Sequence, residues 1–429
     1  MKIVIDTTKN IIIKITLLGL FVILLVGVIG YARGYRINLN ERKLTSTGIV
    51  SVSSNPKPAE VYINGELSGA TDTNITLPYG QYTVEVRKEG YTSWKTDISL
   101  KGEIVMSLNA VLFSKNPSLT PLTNLGINSV QPVGNTDKII LVSNTGDVEK
   151  DGIYLFEPNS RPVTIFPPLK LLLLASTLPD SLDITTAKFV FNPNYRQAIV
   201  TFKNKIVSKS EAETETSYLI SLNDENVELF EVTNSVENIT VKWEEEKTKE
   251  LRKILETLPK PLQKVASDSF HIVSLSPDEK KVMYLATADD ELPMVINPPM
   301  IGTNQTKETR KIEKNSLYVY DKKEDKNFLI PVNIDLGMNN KKISANNPSD
   351  LTARILSKIK WYPTSQYLVY MEENKISTIQ YDGTNKATVY AGPFDPTFFG
   401  LSPDWNLIVV INLNPQTNEF GDLYSVGIR

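Results

Sequence analysis

Residues that could carry out chemistry are scarce in this chain. Among its 429 residues there is one histidine, His271, and there is no cysteine. The lack of cysteine excludes disulfides, thiolate catalysis, cysteine-ligated zinc and iron–sulfur clusters. His271 lies in the alternating stretch FHIVSL, and no nucleophile partner is evident in the sequence. We therefore expect a packed or solvent-facing histidine in a strand rather than a catalytic base.

One acidic stretch approaches a metal-binding motif. Asp147, Glu149 and Asp151 are spaced like the start of a calcium loop. Such a loop needs a bidentate glutamate at its twelfth position, where this chain has Pro158. The stretch is therefore predicted to be the solvated loop of a hairpin, and no metal site is expected.

Two further carboxylates occupy similar turns, in LSPDEKKVMYL and LSPDWNLIVVI. Asp278 and Asp404 could be read as paired acids on successive repeats, as in a glycan-cleaving enzyme. Aspartates at this place in a turn usually cap the turn itself, which is the interpretation we favour. The stretch GELSG at 65–69 has the wrong spacing for a serine elbow, and no phosphate-binding loop is present. We predict no catalytic residue and no cofactor.

Composition limits the class of protein further. The formal net charge is −3, with 22% charged and 41% hydrophobic residues. This balance gives no field that would attract nucleic acid, so no nucleic-acid partner is expected. The length allows two or three domains with cores of their own.

An apolar stretch near the N-terminus predicts a membrane anchor. Residues 11–32 contain one charge, Lys14, and Arg33 follows them. About 20 apolar residues suffice to cross the hydrocarbon layer, and a lysine near the end of the span can reach the interface. We expect a tail at 1–10 in the cytoplasm and an uncleaved helix at 11–32 in the lipid bilayer. The alternative is a signal peptide cleaved after Ala32.

The orientation of this anchor does not follow from charge. Basic residues lie on both sides of the apolar stretch, so the positive-inside rule does not decide. A short N-terminal tail before a large domain is the usual arrangement of a signal anchor. On that ground we expect a single-pass protein of the cell membrane with the bulk of the chain outside the cytoplasm.

Strand patterns begin directly after the anchor. Val61 and Ile63 alternate with polar neighbours, and Asn64-Gly65 is a strong signal for a two-residue hairpin turn. Further alternating stretches continue through QYTVEVRKEGY, TSWKTDISL and GEIVMSLNAVLF. Residues 48–112 are therefore predicted to form a small β-sandwich.

This unit resembles the PEGA domain family. The shared pattern is a strand, a V-x-I-[ND]-G hairpin, a short G-x-[TS] piece, then P-x-G-x-Y-x-V-x-V and G-Y. The matching residues are Val61, Ile63, Asn64, Gly65, Gly69, Pro78, Gly80, Tyr82, Val84, Val86, Gly90 and Tyr91. Tyr79 replaces the glutamate of the eponymous motif, and Gln81 departs from its last position. The resemblance implies a spacer or interaction module of surface-layer and membrane-anchored bacterial or archaeal proteins, without catalysis.

The remainder of the chain repeats a four-strand pattern. Five segments between 122 and 429 each contain a short strand, a turn, an apolar strand and then further strands. Self-similar four-strand units of this kind predict a β-propeller, here of five to seven blades. The LSPD turns resemble those of TolB-like and WD40-like propellers, although Glu279 and Trp405 replace the glycine of that pattern.

Two helical insertions interrupt the repeats. In the first, at 239–268, leucines and isoleucine follow helical spacing, and Glu244 to Glu246 are placed in the first turns. Pro259 and Pro261 are expected to end the helix. The second lies in NNPSDLTARILSKIKWYP, with Ser349 or Asp350 as its cap. The first either shapes a binding face or closes a gap between blades.

The fold class predicted from the sequence is thus mainly β: an N-terminal transmembrane helix, a PEGA-like β-sandwich, and a β-propeller with helical insertions. We expect a non-enzymatic protein of the cell envelope whose propeller binds a protein or a glycan. A carboxylate-based glycan-cleaving enzyme and a transmembrane sensor are the alternatives. The predicted cytoplasmic tail is too short for a signalling domain, which disfavours the sensor.

Overall fold

The computed structural model describes residues 2–32, 35–38, 43–158, 168–205, 214–333, 348–416 and 419–429. Within these residues the chain is mainly β, as predicted. It divides into two compact units. The first comprises 1–112 together with 300–306, and the second comprises 113–299 and 307–429.

The chain begins with helix α1 (Lys2–Ala32). Its stretch Ile13–Ala32 is long and apolar enough to cross a membrane, and none of it is buried against the protein. The helix includes most of the predicted tail at 1–10, since it already begins at Lys2. Its length and composition suit a membrane anchor, and they equally suit a signal sequence.

The first unit contains eight strands. They are β1 (Tyr35–Asn38), β2 (Lys43–Asn55), β3 (Glu60–Ile63), β4 (Glu66–Ala70), β5 (Thr73–Pro78), β6 (Gly80–Arg87), β7 (Trp94–Leu100) and β8 (Val105–Val111). In one sheet β2 pairs with β1, β5 and β8, the last of these in parallel. The other sheet has the order β4-β3-β6-β7. The predicted strands of this unit are therefore present, and β2 begins before the predicted boundary at 48.

Alternation places the apolar residues of both sheets in the core of the unit. Val50 and Val52 from one sheet, and Val84 and Val86 from the other, are fully buried, while their polar sequence neighbours are partly or fully exposed. Burying each such side chain contributes about 1.5–3 kcal/mol. The period-two pattern alone therefore fixes which face of each strand points inward.

The hairpin between β3 and β4 has the predicted turn. Asn64 and Gly65 both have positive φ, at 50° and 89°. The side-chain Oδ1 of Asn64 accepts a hydrogen bond from the Thr83 amide at 2.9 Å, and the Asn64 amide donates to the Thr83 carbonyl at 2.8 Å. The turn is thus tied to the adjacent strand β6.

Replacing Gly65 with valine should destabilise the first unit by more than about 1 kcal/mol, because a β-branched residue is strained at positive φ. A Cβ at this position meets no heavy atom within 4 Å, so the loss should come from backbone conformation alone. Gly65→Asn is the matched control and should lose much less, since asparagine tolerates this conformation. Chemical denaturation followed by Trp94 fluorescence measures both. Equal losses for the two variants would contradict a type I′ turn.

The second unit contains the remaining strands and helices. Its strands before the first helical insertion are β9 (Ser118–Pro121), β10 (Ile127–Pro132), β11 (Ile139–Ser143), β12 (Gly152–Phe156), β13 (Leu169–Leu174), β14 (Leu182–Phe191), β15 (Gln197–Asn204), β16 (Glu215–Ser221) and β17 (Phe230–Glu231). Then come α2 (Val236–Glu256), α3 (Lys260–Ser269), β18 (Phe270–Leu275), β19 (Lys281–Ala286), β20 (Asp290–Glu291), β21 (Lys311–Ile312), β22 (Leu317–Asp321) and β23 (Lys326–Leu329). The last are α4 (Pro348–Lys358), β24 (Ile359–Trp361), β25 (Tyr367–Glu372), β26 (Lys375–Gln380), β27 (Ala387–Tyr390), β28 (Phe399–Leu401), β29 (Leu407–Ile411) and β30 (Asp422–Gly427).

These strands form five four-stranded antiparallel sheets within the described residues. Sheet 1 is β10-β11-β12-β13, sheet 2 is β14-β15-β16-β17, and sheet 3 is β18-β19-β22-β23. Sheet 4 is β24-β25-β26-β27, and sheet 5 is β28-β29-β30-β9. The fourth strand of sheet 1, β13, comes from the apolar stretch LKLLLL.

Neighbouring sheets share hydrophobic cores. Ile140 and Leu155 of sheet 1 pack with Val200 and Phe202 of sheet 2. A second cluster joins Met283 and Val319 of sheet 3 to Leu368 and Ile379 of sheet 4. A third joins Ile408 and Leu423 of sheet 5 to Ile139 and Leu141 of sheet 1. Sheets 4 and 5 meet where the Tyr362 hydroxyl donates to the Trp405 carbonyl at 3.0 Å.

Sheet 5 combines the two ends of the second unit. β9, which precedes every other strand of the unit, pairs antiparallel with β30, the last strand. The seam continues past the strands: the Leu122 amide donates to the Leu423 carbonyl at 2.8 Å, and Asp422 Oδ1 accepts from the Leu125 amide at 2.8 Å. The sequence did not reveal this pairing, since β9 is short and exposed.

The helical insertions differ from the predicted ones at their ends. Glu244 to Glu246 lie in the middle of α2, because that helix begins at Val236. α2 ends at Glu256, shortly before Pro259, and α3 follows at once. Pro261 does not end a helix as predicted; it lies in the first turn of α3, where proline is tolerated. α4 begins at Pro348, so Ser349 and Asp350 lie within its first turn instead of capping it.

Candidate functional site

The five sheets share a turn after their first strand. One amide in each turn donates across it to a carbonyl four or five residues later, at 2.8–3.0 Å; the donors are Val133, Asn192, Ser276, Tyr362 and Ser402. Four of these turns hold a residue at positive φ three positions after the donor: Tyr195, Glu279, Ser365 and Trp405. Glu279 and Trp405, which replace the glycine of the resembled pattern, thus adopt the conformation that glycine favours.

These turns define an equivalent position in each first strand, two residues before the donor. Its five residues are Gln131, Val190, Ser274, Lys360 and Gly400, and we call this set the inner ring. They differ in chemistry, since one is cationic, two are neutral and polar, one is apolar and one has no side chain.

Three inner-ring residues each lie against a residue of a neighbouring sheet. Gln131 Nε2 donates to the Phe189 carbonyl on the first strand of sheet 2 at 3.2 Å. Lys360 Nζ lies 5.5 Å from the centroid of Phe399 on the first strand of sheet 5. A Cβ on Gly400 would lie 3.4 Å from Ile139 of sheet 1. These three inner-ring residues thus lie at contacts between neighbouring sheets.

Lys360 is the charged member of the inner ring. Burial lowers its pKa to about 8, and no carboxylate among the described residues offsets that effect. The ring of Phe399 gives the ammonium a partial substitute for water through its negative face. Lys281, which is buried, differs because its Nζ lies 4.0 Å from Asp278 Oδ2.

His271 lies in β18, as predicted, and contacts helix α4. Its Nε2 is 2.9 Å from the Thr352 hydroxyl, and burial lowers the pKa of the imidazole. The contact joins a strand of sheet 3 to the helix that precedes sheet 4. It accounts for the histidine as a packing and hydrogen-bonding residue.

The acidic loop at 147–152 connects β11 and β12. Asp151 is buried, and its carboxylate accepts hydrogen bonds from the amides of Thr145 and Gly146 at 2.6 and 2.8 Å. Asp147 pairs with Lys150 at 3.1 Å. Within the described residues no cluster of acidic or histidine side chains has the arrangement of a metal site.

Asp278 and Asp404 lie in the turns of sheets 3 and 5. The interpretation as acids on successive repeats is wrong, because sheet 4 and its turn, with Thr364 at the corresponding place, come between them. The Asp278 carboxylate accepts a hydrogen bond from the Ser276 hydroxyl at 2.6 Å, and Asp404 is exposed. The Asp278 contact is that of a residue that stabilises its own turn.

A cavity of about 410 Å³ lies beside sheet 3 and helix α4. Leu285, Leu317 and Ile355 line it together with Asn315 and Asn333. None of its lining residues is charged. The inner ring, unlike this cavity, contains a charged side chain, that of Lys360.

The helical insertion covers sheet 3. Leu262 and Ala266 of α3 are buried against Ile272 and Tyr284. Burial raises the pKa of Tyr195 in the turn of sheet 2, and the nearby Glu250 of α2 adds to that shift. The helix pair thus lies close to both sheet 2 and sheet 3, which is the arrangement expected if it closes a gap between them.

Comparison with known proteins supports the PEGA resemblance. Residues 47–116 match the family model described as PEGA domain, which confirms the prediction for 48–112. A search of curated proteins finds no match.

Solved structures with similarity to this chain include proteins of different activities. An auxiliary nutrient binding protein from Bacteroides thetaiotaomicron is 8% identical, covering 82% of this chain and 73% of that one, with a TM-score of 0.19. Regucalcin, a calcium-binding protein from Agrobacterium tumefaciens, is 12% identical over 82% and 86% of the two chains, with a TM-score of 0.19. The GH93 alpha-L-arabinofuranosidase of Fusarium graminearum is 11% identical over 92% and 94%, also with a TM-score of 0.19. TM-scores of 0.19 are too low to indicate a fold or a function for this chain.

Proposed function

We propose that this chain is a membrane-anchored, non-enzymatic binding protein of the cell envelope. The PEGA domain serves as a spacer, and the second unit is a five-bladed β-propeller that binds a protein or a glycan. The observation that carries this proposal is the seam between β9 and β30, which brings the two ends of the unit into one sheet.

The order of contacts between sheets supports closure. Sheets 2, 1, 5, 4 and 3 contact one another in that sequence, and α2 and α3 fill the interval between sheets 3 and 2. A sheet completed by strands from both ends of a repeat array ties the first repeat to the last. A ring of this kind leaves few free strand edges, so partners meet its loops and its central opening.

The N-terminal helix supports the anchor. None of Ile13–Ala32 is buried inside the protein, and a run of mostly apolar side chains of this length is unfavourable in water. We propose that the helix spans the membrane without cleavage and that both units lie outside the cytoplasm.

Disrupting the helix should release the protein from the membrane. Leu20→Arg combined with Leu24→Arg adds roughly 5–7 kcal/mol to the cost of insertion. The full chain should remain in the membrane pellet after an alkaline wash, and the double variant should move to the soluble fraction. Lys2→Arg, which keeps the charge at the helix start, is the control and should stay in the pellet.

Two results would contradict the anchor. One is a membrane-bound chain whose N-terminus begins at residue 33, which would show that the helix is removed as a signal peptide. The other is full-length protein in the soluble fraction. Protease added to intact cells then tests the compartment, since both units should be digested while the cytoplasm remains protected.

A further inference from the structure

One end of the first unit lies next to the N-terminal helix. Two residues separate Ala32, the last residue of α1, from Tyr35, the first residue of β1. Since consecutive Cα atoms are about 3.8 Å apart, the Tyr35 Cα lies within about 11 Å of the end of the helix. Tyr35 pairs with Ser46 on β2, and the Ser46 carbonyl accepts a hydrogen bond from the Tyr79 amide at 3.0 Å. The connection between β5 and β6, which contains Tyr79, is therefore at the helix side of the unit.

Two further segments of the first unit reach the same end. The connection from β7 to β8 does so, because the Glu103 amide donates to the carbonyl of Thr47, the residue after Ser46, at 3.0 Å. The segment 300–306 does so as well, since a Cβ on Gly302 would lie 3.9 Å from the carbonyl oxygen of Val105, at the start of β8. We call four exposed residues of these three segments the anchor-side patch: Tyr79, Lys101, Val105 and Ile301.

The anchor-side patch is mostly apolar and aromatic, and the protein leaves it uncovered. Tyr79 is 66% exposed, Val105 is 60% exposed and Ile301 is 69% exposed. The opposite end of the unit has a polar surface, where Lys57 pairs with Asp72 just before β5 begins. Exposed apolar side chains gathered at one end of a unit mark an interaction surface. The two ends of this unit thus differ in what they can contact.

We propose that the anchor-side patch rests on the lipid headgroups, with Tyr79, Val105 and Ile301 inserted at the membrane interface. This inference rests on the proposed anchor, because an uncleaved α1 holds this end of the unit close to the bilayer. Tyrosine and aliphatic side chains are favourable at the interface, and Lys101 can direct its ammonium to the headgroups. The stretch RGYRINLNERK at 33–43 has four basic residues and one acidic residue, which favours headgroups of negative charge.

Fluorescence quenching of the full chain in vesicles of phosphatidylcholine and phosphatidylglycerol tests the proposal. Because the chain has no cysteine, one introduced cysteine at a time can carry the fluorophore. Lys101→Cys reports on the patch, Glu89→Cys on the opposite end, and Leu24→Cys on the anchor. Glu89 follows the end of β6, so it lies roughly 25 Å from Tyr79 along the strand. A nitroxide on the lipid headgroup should therefore quench the Lys101→Cys label at least about twofold more than the Glu89→Cys label.

Substitutions within the patch separate insertion from proximity to the bilayer. In the Lys101→Cys chain, Tyr79→Asp with Val105→Asp should lower the quenching to near that of the Glu89→Cys label, because carboxylates are unfavourable at an interface of negative charge. Leu67→Asp is the matched control: Leu67 is 62% exposed on β4 and lies outside the patch, so the quenching should not change. If the double aspartate variant does not fold, Tyr79→Ser with Val105→Ser takes its place.

Two results would overturn the inference while the anchor stands. One is equal quenching of the Lys101→Cys and Glu89→Cys labels, and the other is quenching at Lys101→Cys that the double variant leaves unchanged. The Leu24→Cys label separates these results from failure of the anchor, since a nitroxide on the acyl chain should quench it when α1 is inserted. Without that quenching the proposed anchor is wrong, and the inference is wrong with it.

Discussion

Asp325→Ala should destabilise the second unit by about 3–5 kcal/mol, the loss typical of breaking a buried ion pair on one side. The Asp325 side chain is 2% exposed and lies 3.2 Å from the Arg310 guanidinium. Its carboxylate also accepts hydrogen bonds from the Tyr320 hydroxyl at 2.8 Å and from the amides of Val295 and Ile296 at 2.7 and 2.8 Å. Removing it leaves three donors without an acceptor and takes from Arg310 one of its two carboxylates, the other being Glu308 at 3.0 Å.

The measurement is urea denaturation followed by tryptophan fluorescence in a Trp94→Phe background. That substitution removes the tryptophan of the first unit and leaves Trp243, Trp361 and Trp405 to report on the second. Asp325→Asn keeps the shape and one acceptor and should lose less than the alanine variant. Asp404→Ala, at an exposed position in a turn, should change stability by less than about 0.5 kcal/mol. A loss below about 1 kcal/mol for Asp325→Ala would contradict the buried network.

The same network predicts a pH dependence. Burial tends to raise the pKa of Asp325, but hydrogen bonds from Ile296, Arg310, Tyr320 and Val295 together hold it below its usual value. A carboxylate with a lowered pKa contributes stability above its pKa in the unfolded chain, about 3.9, and loses it as the pH falls further. The wild type should therefore lose more stability than Asp325→Asn between about pH 5 and pH 2.

The sequence was informative where local chemistry decides the structure. Asn64-Gly65 requires positive φ at two positions, and alternation sorts the core residues of β6 without knowledge of their partners. The five repeats were visible for the same reason, because each contains a turn followed by an apolar strand.

Features that depend on distant residues were not visible. β9 contains Leu119 as its one apolar side chain apart from Pro121, and its pairing with a strand roughly 300 residues later leaves no local pattern. Residues 300–306 belong to the first unit although they lie within the repeats, and Gln305 there exchanges two hydrogen bonds with the backbone of Ser99, at 2.6 and 3.0 Å. No periodicity encodes such a contact.

Lys360 was missed for a different reason. The apolar residues Ile355, Leu356 and Ile359 continue at helical spacing, so the sequence SKIKWYP reads as the end of a helix. In the structure the helix ends at Lys358 and β24 begins at the next residue. The boundary follows from packing of β24 against β25, and that places Lys360 in the inner ring.

A disulfide across the seam of sheet 5 should stabilise the second unit by about 2–5 kcal/mol. Thr120 and Ser425 are direct cross-strand partners on β9 and β30. Thr120→Cys with Ser425→Cys closes a loop of roughly 300 residues, and the chain-entropy model assigns the largest gains to long loops. The absence of native cysteine excludes competing pairings. Oxidation should raise the melting temperature by about 5 °C or more, and reduction should reverse the gain.

The bridge itself is the most direct test of a closed ring of five sheets. Peptide mapping of the oxidised, non-reduced full chain should recover the two introduced cysteines in one linked peptide pair. A mismatched pair, Thr120→Cys with Lys326→Cys on the outer strand of sheet 3, should stay reduced under the same conditions. The account predicts near-complete linkage of the matched pair under mild oxidation. Free thiols at both positions, or equal linkage of matched and mismatched pairs, would contradict closure by β9 and with it the propeller on which the proposed function depends.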